Sequence, residues 1–356
     1  MKTVRTSPHV HGPLRTDKAM LFVIIALLPA AIWGVVAFGL SALLVLLVSI
    51  ASAVLVEYLL GLVSKEFTIK DYSAIVTGLL VGMNMPPHVP VYIPIIASAF
   101  AIAVVKWTFG GLGCNWMNPA LAGRVFVFFS FTSQMSSFTL PRWMLVDGMS
   151  SATPLSAMKT AVTAGASGTS SELLSSVIPT TAFADSVAAK LGISPYAVDA
   201  FLGNAGGCIG EVSALLLLVG GIFLLCKGII TWRIPVVYIG SFAILSWVFG
   251  GIPYGQGAFH GEVLLPVFSG GLMLGAFFMA TDWVTTPTTP KGEIIFAFGC
   301  GFFTFLIRYF GSLPEGVSLA IIMMNIISPT IDRFVRTKPF GYVKKAKEKK
   351  GKEVKA

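Results

Sequence analysis

The residues of this sequence with the clearest chemical potential lie at 147–155, which read Asp-Gly-Met-Ser-Ser-Ala-Thr-Pro-Leu. Three hydroxyl side chains gather there, and Pro154 favours an extended backbone at Thr153. A serine or threonine nucleophile needs a neighbouring base, yet the four histidines of the chain all lie far from this segment in sequence. The segment therefore does not indicate a hydrolase, and a polar turn is its simplest interpretation.

Charged side chains inside apolar runs are the second group of candidates: Glu57, Arg124, Asp282 and Arg308. Charges within a membrane are costly and indicate function by default, although those near helix ends can extend to the interface. The planar guanidinium of Arg124 suits a phosphate or a transport pathway. Asp282 is a candidate for an ion path, with helix capping as the alternative. We interpret Glu57 and Arg308 as interfacial.

The cysteines do not form a recognisable ligand set. Cys114, Cys208, Cys226 and Cys300 are widely separated and include no C-x-x-C pair. No iron–sulfur or zinc site is therefore predicted within this chain. Cys114 and Cys208 both lie in glycine-rich stretches. They are either inert buried thiols, which we favour, or ligands of a metal shared with partner subunits.

Composition places these candidates in a membrane. The chain has 356 residues, 55% hydrophobic and 12% charged, with a mean hydropathy of +0.83. Soluble domains carry about 25% charged residues, so a soluble globular enzyme, a disordered chain and a secreted disulfide scaffold are all excluded. We predict an all-α polytopic membrane protein.

Apolar runs define the spans, because a bilayer core of about 30 Å requires about 20 apolar residues per helix. The ten runs are 20–39, 41–60, 73–85, 91–109, 117–133, 211–230, 235–250, 263–281, 294–310 and 316–330. The third run is short and ends in Met85-Pro86-Pro87. It predicts an interrupted helix, which a membrane tolerates only where protein or a water-filled cavity satisfies the freed backbone.

The positive charge sits in the two tails. Residues 1–18 and 336–356 carry net charges of +3 and +7, out of +9 for the chain. Cytoplasmic flanks of membrane helices accumulate Lys and Arg, so we predict both termini to be cytoplasmic and 134–210 to be extracytoplasmic. The basic tails fit anionic membrane lipid. Nucleic-acid binding is not predicted, because no basic fold element accompanies them.

A weak internal repeat predicts two halves. Residues 77–83 resemble 270–276, and Phe-Gly-Gly at 109–111 parallels Phe-Gly-Ser at 310–312. Five spans in each half would place the halves in opposite orientations, an architecture typical of transporters. Similar composition of glycine-rich helices is the alternative explanation. The predicted organisation is an N-terminal segment (1–18), a first five-helix repeat (19–133), an extracytoplasmic loop (134–210), a second repeat (211–332) and a basic tail (333–356).

Residues 147–153 also resemble the sequence Asp-x-x-Ser/Thr-Gly/Ala/Ser-Ala-Thr, at which flavin transferases attach FMN to threonine through a phosphoester bond. Asp147, Ser150, Ala152 and Thr153 match it, and Ser151 stands where glycine is commoner. With its ten spans, the chain resembles the family that includes the RnfD component of the Rnf electron-transport complex and the NqrB component of the sodium-pumping NADH:quinone reductase. The resemblance extends through 15–20, 118–124 and 280–282, with one departure at residue 283, a tryptophan where proline is expected.

This resemblance implies a flavin-carrying subunit of a redox-driven ion pump. FMN would be covalently bound at Thr153, with Asp147, Ser150 and Ala152 read by the transferase and Arg124 a candidate for binding the FMN phosphate. A flavin transfers one or two electrons, so it can join different electron carriers. A second, non-covalent flavin is compatible with the resemblance.

The resemblance also implies partners and a location. The Rnf components A, B, C, E and G would be the partners and would carry the iron–sulfur clusters, with a second covalent FMN on the RnfG component. Electrons would pass between ferredoxin and NAD⁺, coupled to Na⁺ or H⁺ movement across the bacterial inner membrane, and the chain would not be catalytic alone. Two alternatives stay open: a stand-alone solute channel or transporter of similar architecture, and a scaffold subunit whose flavin motif is silent.

Overall fold

The structure is a computed structural model that describes residues 15–65, 68–144, 153–175 and 177–336. Asp147, Ser150 and Ala152 lie outside these described residues, as do the basic C-terminal tail from 337 and the first fourteen residues. Within the described ranges the regular elements are all helical. The predicted all-α class is therefore confirmed for this part of the chain.

Helices occur in three consecutive groups, which we number in chain order. The first helical group comprises α1 (Thr16–Phe38), α2 (Leu40–Ser64), α3 (Ser73–Met83), α4 (Tyr92–Phe100, continued by a π-helical stretch Ala101–Trp107) and α5 (Pro119–Ser130). The middle segment contains α6 (Thr132–Met135), α7 (Pro154–Thr163), α8 (Ser170–Leu174), α9 (Ala182–Leu191) and α10 (Pro195–Leu202). The second helical group comprises α11 (Ala214–Cys226), α12 (Arg233–Phe249), α13 (Leu264–Phe268), α14 (Leu272–Leu274, continued by a π-helical stretch Gly275–Met279), α15 (Pro290–Tyr309) and α16 (Val317–Phe334).

Four of the described helices are long and apolar enough to cross a membrane, namely α1, α2, α15 and α16. Five more apolar helices, of 10–17 residues, coincide with other predicted spans. The predicted span at 263–281 is instead divided between α13 and α14, which are separated by Gly270 and Gly271, both with positive φ. Left-handed backbone of this kind favours glycine, so these two residues explain the break.

The chain between the middle segment and α11 enters the bundle. We call residues 203–213 the inserted segment. The amide of Ile209 donates to Met85 O (3.1 Å) and that of Gly210 to Met83 O (2.7 Å). These bonds satisfy carbonyl groups just where α3 ends, which an interrupted membrane helix requires. The sequence prediction placed residues up to 210 outside the membrane domain, and it missed this insertion.

The inserted segment packs so closely against α1 that residue 34 has to be glycine. A Cβ at Gly34 would overlap the backbone oxygen of Ile209 in the inserted segment. We expect Gly34→Ala to displace the inserted segment and to cost about 1–3 kcal/mol of stability, as overpacked sites do. Thermal unfolding in detergent measures this. Gly240→Ala in α12, where an added Cβ meets nothing within 4 Å, is the control, and an equal melting temperature for both variants would contradict the expectation.

The middle segment has a core of its own. Leu140, Met158, Leu174 and Tyr196 are among the buried residues of a cluster that also includes Leu265 of α13. Hydroxyl side chains cap its short helices, as Thr169 does for α8 in a complete capping box with Glu172. The segment therefore holds its helices by caps and a small core, and it rests on α13 at the break in the second group.

Candidate functional site

Thr153 is the N-cap residue of α7. Its backbone is extended (φ −69°, ψ 153°), as the following proline predicts. The Thr153 hydroxyl donates to Ser156 Oγ (2.9 Å) and accepts from the Ser156 amide (3.2 Å). Thr153 as a whole residue is only 5% exposed. The hydroxyl thus lies at the positive end of a ten-residue helix, where negative charge is stabilised.

Contacts with the second helical group fix the position of α7. Lys159 Nζ donates to Arg308 O (3.2 Å) and Leu313 O (2.9 Å), and partial burial lowers the pKa of Lys159. Leu155 lies over Gly270, where an added Cβ would be 2.5 Å from Leu155 Cδ1. The segment that carries Thr153 therefore sits directly on the break between α13 and α14.

Arg308 closes the broken end of α13. Its guanidinium donates to the carbonyl oxygens of Pro266 (2.6 Å), Ser269 (3.3 Å) and Gly270 (2.5 Å). These carbonyl groups lie at the end of α13 or just after it, so no amide of a following helical turn donates a hydrogen bond to them. Arg308 is buried, and backbone carbonyl oxygens of the protein, rather than solvent, bind its guanidinium; its interfacial position stays a prediction.

Glu57 is another charge that the protein itself satisfies, and its interfacial position likewise stays a prediction. It is buried and forms an ion pair with Lys106, whose Nζ lies 2.7 Å from Glu57 Oε2. Lys106 also donates to Ser73 Oγ (2.6 Å), and Thr68 Oγ1 donates to Glu57 (2.6 Å). The hydrogen-bonded pair explains how two charges are retained inside the first helical group.

Arg124 lies in α5 and faces the inserted segment. Its guanidinium donates to Ser318 Oγ (2.5 Å) and to Glu315, and it approaches Cys208 Sγ (3.6 Å). Glu211 Oε1 lies 3.7 Å from the same guanidinium. Arg124 is thus occupied by carboxylates from two other parts of the chain. Its predicted contact with an FMN phosphate stays a prediction.

Sequence reasoning did not single out Glu211 or Glu315. They lie 87 and 191 residues after Arg124, and the inserted segment that brings Glu211 to Arg124 has no apolar periodicity. One feature of the sequence could have indicated them: Glu211 is the first residue of the predicted span 211–230, and Glu315 directly precedes the predicted span 316–330. Cys208, Glu211 and Glu315 offer ligand atoms within 4.8 Å of one another, whereas Cys114 is exposed.

Asp282 lines a cavity of about 380 Å³. Its carboxylate accepts from Asn115 Nδ2 (3.2 Å), Thr285 Oγ1 (3.3 Å) and the Val284 amide (3.4 Å). The last two bonds close the turn after the π-helical stretch, and the N-cap of the next helix, α15, is Thr289 rather than Asp282. Lys106 and residues of α1, α3 and α11 also line the cavity, which lies between the two helical groups.

A pH-dependent prediction concerns Glu262, in the loop before α13. Burial raises the pKa of Glu262 above its ordinary value of 4.5, and hydrogen bonds from Ser170 and Ser194 oppose the shift. A raised pKa means that ionisation costs more in the folded protein, so this residue lowers stability as pH rises through and above 4.5. We expect Glu262→Gln to raise the melting temperature at pH 7 and to have little effect at pH 4. An equal gain at both pH values would contradict this.

Comparison with known proteins gives a consistent result. A family model described as the NQR2, RnfD, RnfE family matches residues 3–341. The D component of the Na⁺-translocating ferredoxin:NAD⁺ oxidoreductase complex of Acetobacterium woodii is 41% identical over 352 residues, 98% of each chain. The D component of the proton-translocating ferredoxin:NAD⁺ oxidoreductase complex of Clostridium ljungdahlii is 42% identical, over 95% of this chain and 96% of that protein. The D component of the ion-translocating oxidoreductase complex of Stutzerimonas stutzeri is 37% identical, over 91% and 92%.

Proposed function

Because this chain belongs to the NQR2, RnfD, RnfE family, we propose that it is the RnfD-type membrane subunit of an ion-translocating ferredoxin:NAD⁺ oxidoreductase. The observation that carries this proposal is similarity over 98% of both chains to the D component of such a complex. The chain acts within a multi-subunit translocase and does not catalyse alone. If the chain were a stand-alone channel, its full-length similarity to a component of an oxidoreductase complex would be unexplained.

Covalent FMN at Thr153 is part of the proposal, and the local structure fits the group. A phosphodiester on this hydroxyl would place one negative charge, shared by two non-bridging oxygens, at the N-terminus of α7, where free amides and the helix dipole favour an anion. Ser156, whose amide and hydroxyl both bond Thr153 Oγ1, would hold the phosphate. When bound, the flavin supplies one- and two-electron transfer. Asp147, Ser150 and Ala152 keep their proposed role as the transferase recognition residues.

The surroundings of α7 constrain how the flavin is attached. The cavity beside Leu155 and Lys159 is only about 20 Å³ in volume, far too small for an isoalloxazine ring. This cavity would therefore not hold the ring. Since Thr153 is nearly buried, the transferase has to reach its hydroxyl before α7 packs, or after local opening.

A second, non-covalent flavin has a candidate location in the cavity beside Asp282. Ligand sites are typically about 300–1,000 Å³, apolar and provided with a few polar groups. The cavity of about 380 Å³ offers the side chains of Asn115, Lys106 and Asp282 among apolar residues. Acid precipitation tests this: a Thr153→Ala chain should release flavin into the supernatant. We retain Asp282 as a candidate on the Na⁺ or H⁺ path.

The membrane arrangement that we propose has ten segments in two inverted groups of five. It is supported by contacts between equivalent positions, since α1, the first helix of one group, packs on α11, the first of the other. Likewise α5 packs on α16, the last helices of the two groups. Both termini face the cytoplasm of a bacterial cell in this arrangement, and the middle segment faces the opposite side of the inner membrane.

The partners in the proposal are the Rnf components A, B, C, E and G, together with membrane lipid. Relatives are named as one component of a complex, and large apolar side chains such as Leu47, Ile32 and Phe129 are exposed on the helices. Such surface requires lipid or other membrane subunits. Iron–sulfur clusters are assigned to the partners, because this sequence has no cysteine ligand set.

Deleting this chain from its native complex tests the proposal. Inverted membrane vesicles should lose ferredoxin-dependent NAD⁺ reduction and the Na⁺ or H⁺ uptake that accompanies it, and a plasmid copy should restore both. Full electron transfer and ion uptake without the chain would contradict the proposal. Solute flux through the purified chain in liposomes would then favour the stand-alone transporter.

A further inference from the structure

Arg124, Glu211 and Glu315 form a buried group of charges that the covalent flavin site does not use. The two glutamate side chains are 2% and 10% exposed, and that of Arg124 is 7% exposed. One guanidinium faces two carboxyl groups, so the three residues carry an excess negative charge if both carboxyls are ionised. An uncompensated charge is expensive in a buried site. Within this group one carboxyl therefore has no cation of its own, and the nearby Arg308 donates to backbone carbonyl oxygens instead.

Two carboxyl oxygens of this group lack a hydrogen-bond partner in the described part of the chain and could therefore bind a proton. Glu211 Oε1 and Glu315 Oε1 are buried and have no hydrogen-bond partner among the described residues. Buried carboxyl oxygens are normally hydrogen-bonded. The carboxylates offer ligand atoms within 4.8 Å of each other. A proton on one carboxyl would convert an unsatisfied acceptor into a donor for its neighbour.

The surrounding groups favour a proton over a metal ion. The Arg124 guanidinium is close to both carboxylates and repels a metal cation, and Cys208 contributes a thiol rather than the oxygen ligand that Na⁺ or Mg²⁺ prefers. Arg308 is the next cation; its two terminal nitrogens are bound to carbonyl oxygens of 266–270, and its buried Nε has no hydrogen-bond partner among the described residues. Lys159 bonds Leu313 O, two residues before Glu315.

We propose that Glu211 and Glu315 share one exchangeable proton and form a proton-binding site at the junction of α5, the inserted segment and α16. The site adjoins the segment that carries Thr153. Glu211 Oε1 contacts Gly271, where an added Cβ would be 2.5 Å away, and the preceding Gly270 contacts Leu155. Glu315 is the more exposed acid, so the proton enters through it, from the side on which Lys159 packs.

This inference rests on the proposed function and deepens it. A proton held beside the segment that carries Thr153 could bind or leave when negative charge arrives at that segment or departs from it. In the simplest event, hydronium gives its proton to one carboxylate oxygen: an O–H bond of hydronium breaks, a water molecule is left, and an O–H bond forms on the carboxyl group. Negative charge arriving near α7 would strengthen the binding, and its departure would weaken it, because electrostatic interactions are strong in a buried region.

Infrared spectroscopy of the purified complex at pH 7 tests the inference directly. We expect a protonated carboxyl C=O band that shifts in D₂O and is lost in both Glu211→Gln and Glu315→Gln, since either change leaves a single carboxylate to pair with Arg124. Glu293→Gln, which removes the carboxylate bound to Arg233 at the other end of α15, should keep the band. Each variant is used only if it elutes as an intact complex, and the single glutamine variants are nearly isosteric with the native side chains.

Three results would overturn the inference: no such band in the native complex, a band unchanged in both glutamine variants, or a band abolished by adding NaCl, which would mean that Na⁺ occupies the site. The covalent flavin is measured separately on the same samples, by fluorescence after denaturation. A native complex that carries the flavin but lacks the carboxyl band would contradict this inference and leave the proposed function standing.

Discussion

Thr153→Ala should abolish the covalent flavin. After denaturing electrophoresis, the native chain co-expressed with a flavin transferase should fluoresce under ultraviolet light, and the variant should be dark. The physical reason is that alanine lacks the oxygen that forms the phosphoester. The change also removes the N-cap bond to the Ser156 amide, which costs about 1 kcal/mol, so the variant should still fold and assemble.

Thr153→Ser is the matched control, because serine keeps a hydroxyl and an N-cap at the same position. It should fold like the native chain, and any fluorescence it retains reports on the transferase's tolerance for serine. In complexes that contain Thr153→Ala, ferredoxin-dependent NAD⁺ reduction should fall by an order of magnitude or more. Unchanged fluorescence in the alanine variant would contradict attachment at this residue.

Arg124→Met should be strongly destabilising, more so than any surface substitution in the helical groups. It removes the cation that faces Glu211 and Glu315, and breaking a buried ion pair in this way costs about 3–5 kcal/mol. The expected result is a large fall in melting temperature or a loss of the intact complex on size exclusion. Arg124→Lys should not restore the native value, because an ammonium cannot reproduce the planar set of donors.

Two further variants serve as controls for Arg124→Met. Arg333→Met removes an exposed arginine on α16, and surface changes of this kind are usually within about 0.5 kcal/mol. Adding Glu211→Gln and Glu315→Gln to Arg124→Met should recover part of the lost stability, since the uncompensated carboxyls are gone. Equal melting temperatures for Arg124→Met and Arg333→Met would contradict the account of this cluster.

The sequence predicted well those features that depend on local physics. Runs of apolar residues located the helices of both helical groups, because the membrane imposes their length and composition. Proline after Thr153 predicted the extended backbone that makes Thr153 an N-cap. The absence of a base near Thr153 argued against a hydrolase, and the full-length relatives are components of oxidoreductase complexes instead.

Features that depend on contacts between distant parts of the chain were not predicted from the sequence. The inserted segment has neither helical periodicity nor an apolar run, and its place is set by bonds from Ile209 and Gly210 to the end of α3. The predicted boundary between 210 and 211 therefore falls within a continuous structural segment. The partners of Arg308 and Glu57 were not predicted for the same reason, since a sequence does not show which distant carbonyl or lysine satisfies a buried charge.

Peptide mass spectrometry of the chain purified from its native complex tests the central claim most directly. The account predicts that the peptide containing Thr153 is heavier by one FMN less one water, and that fragmentation places this mass on Thr153 itself. An active native complex in which that peptide is present only at its unmodified mass would contradict the account, and the electron-carrying role of this chain would have to be abandoned.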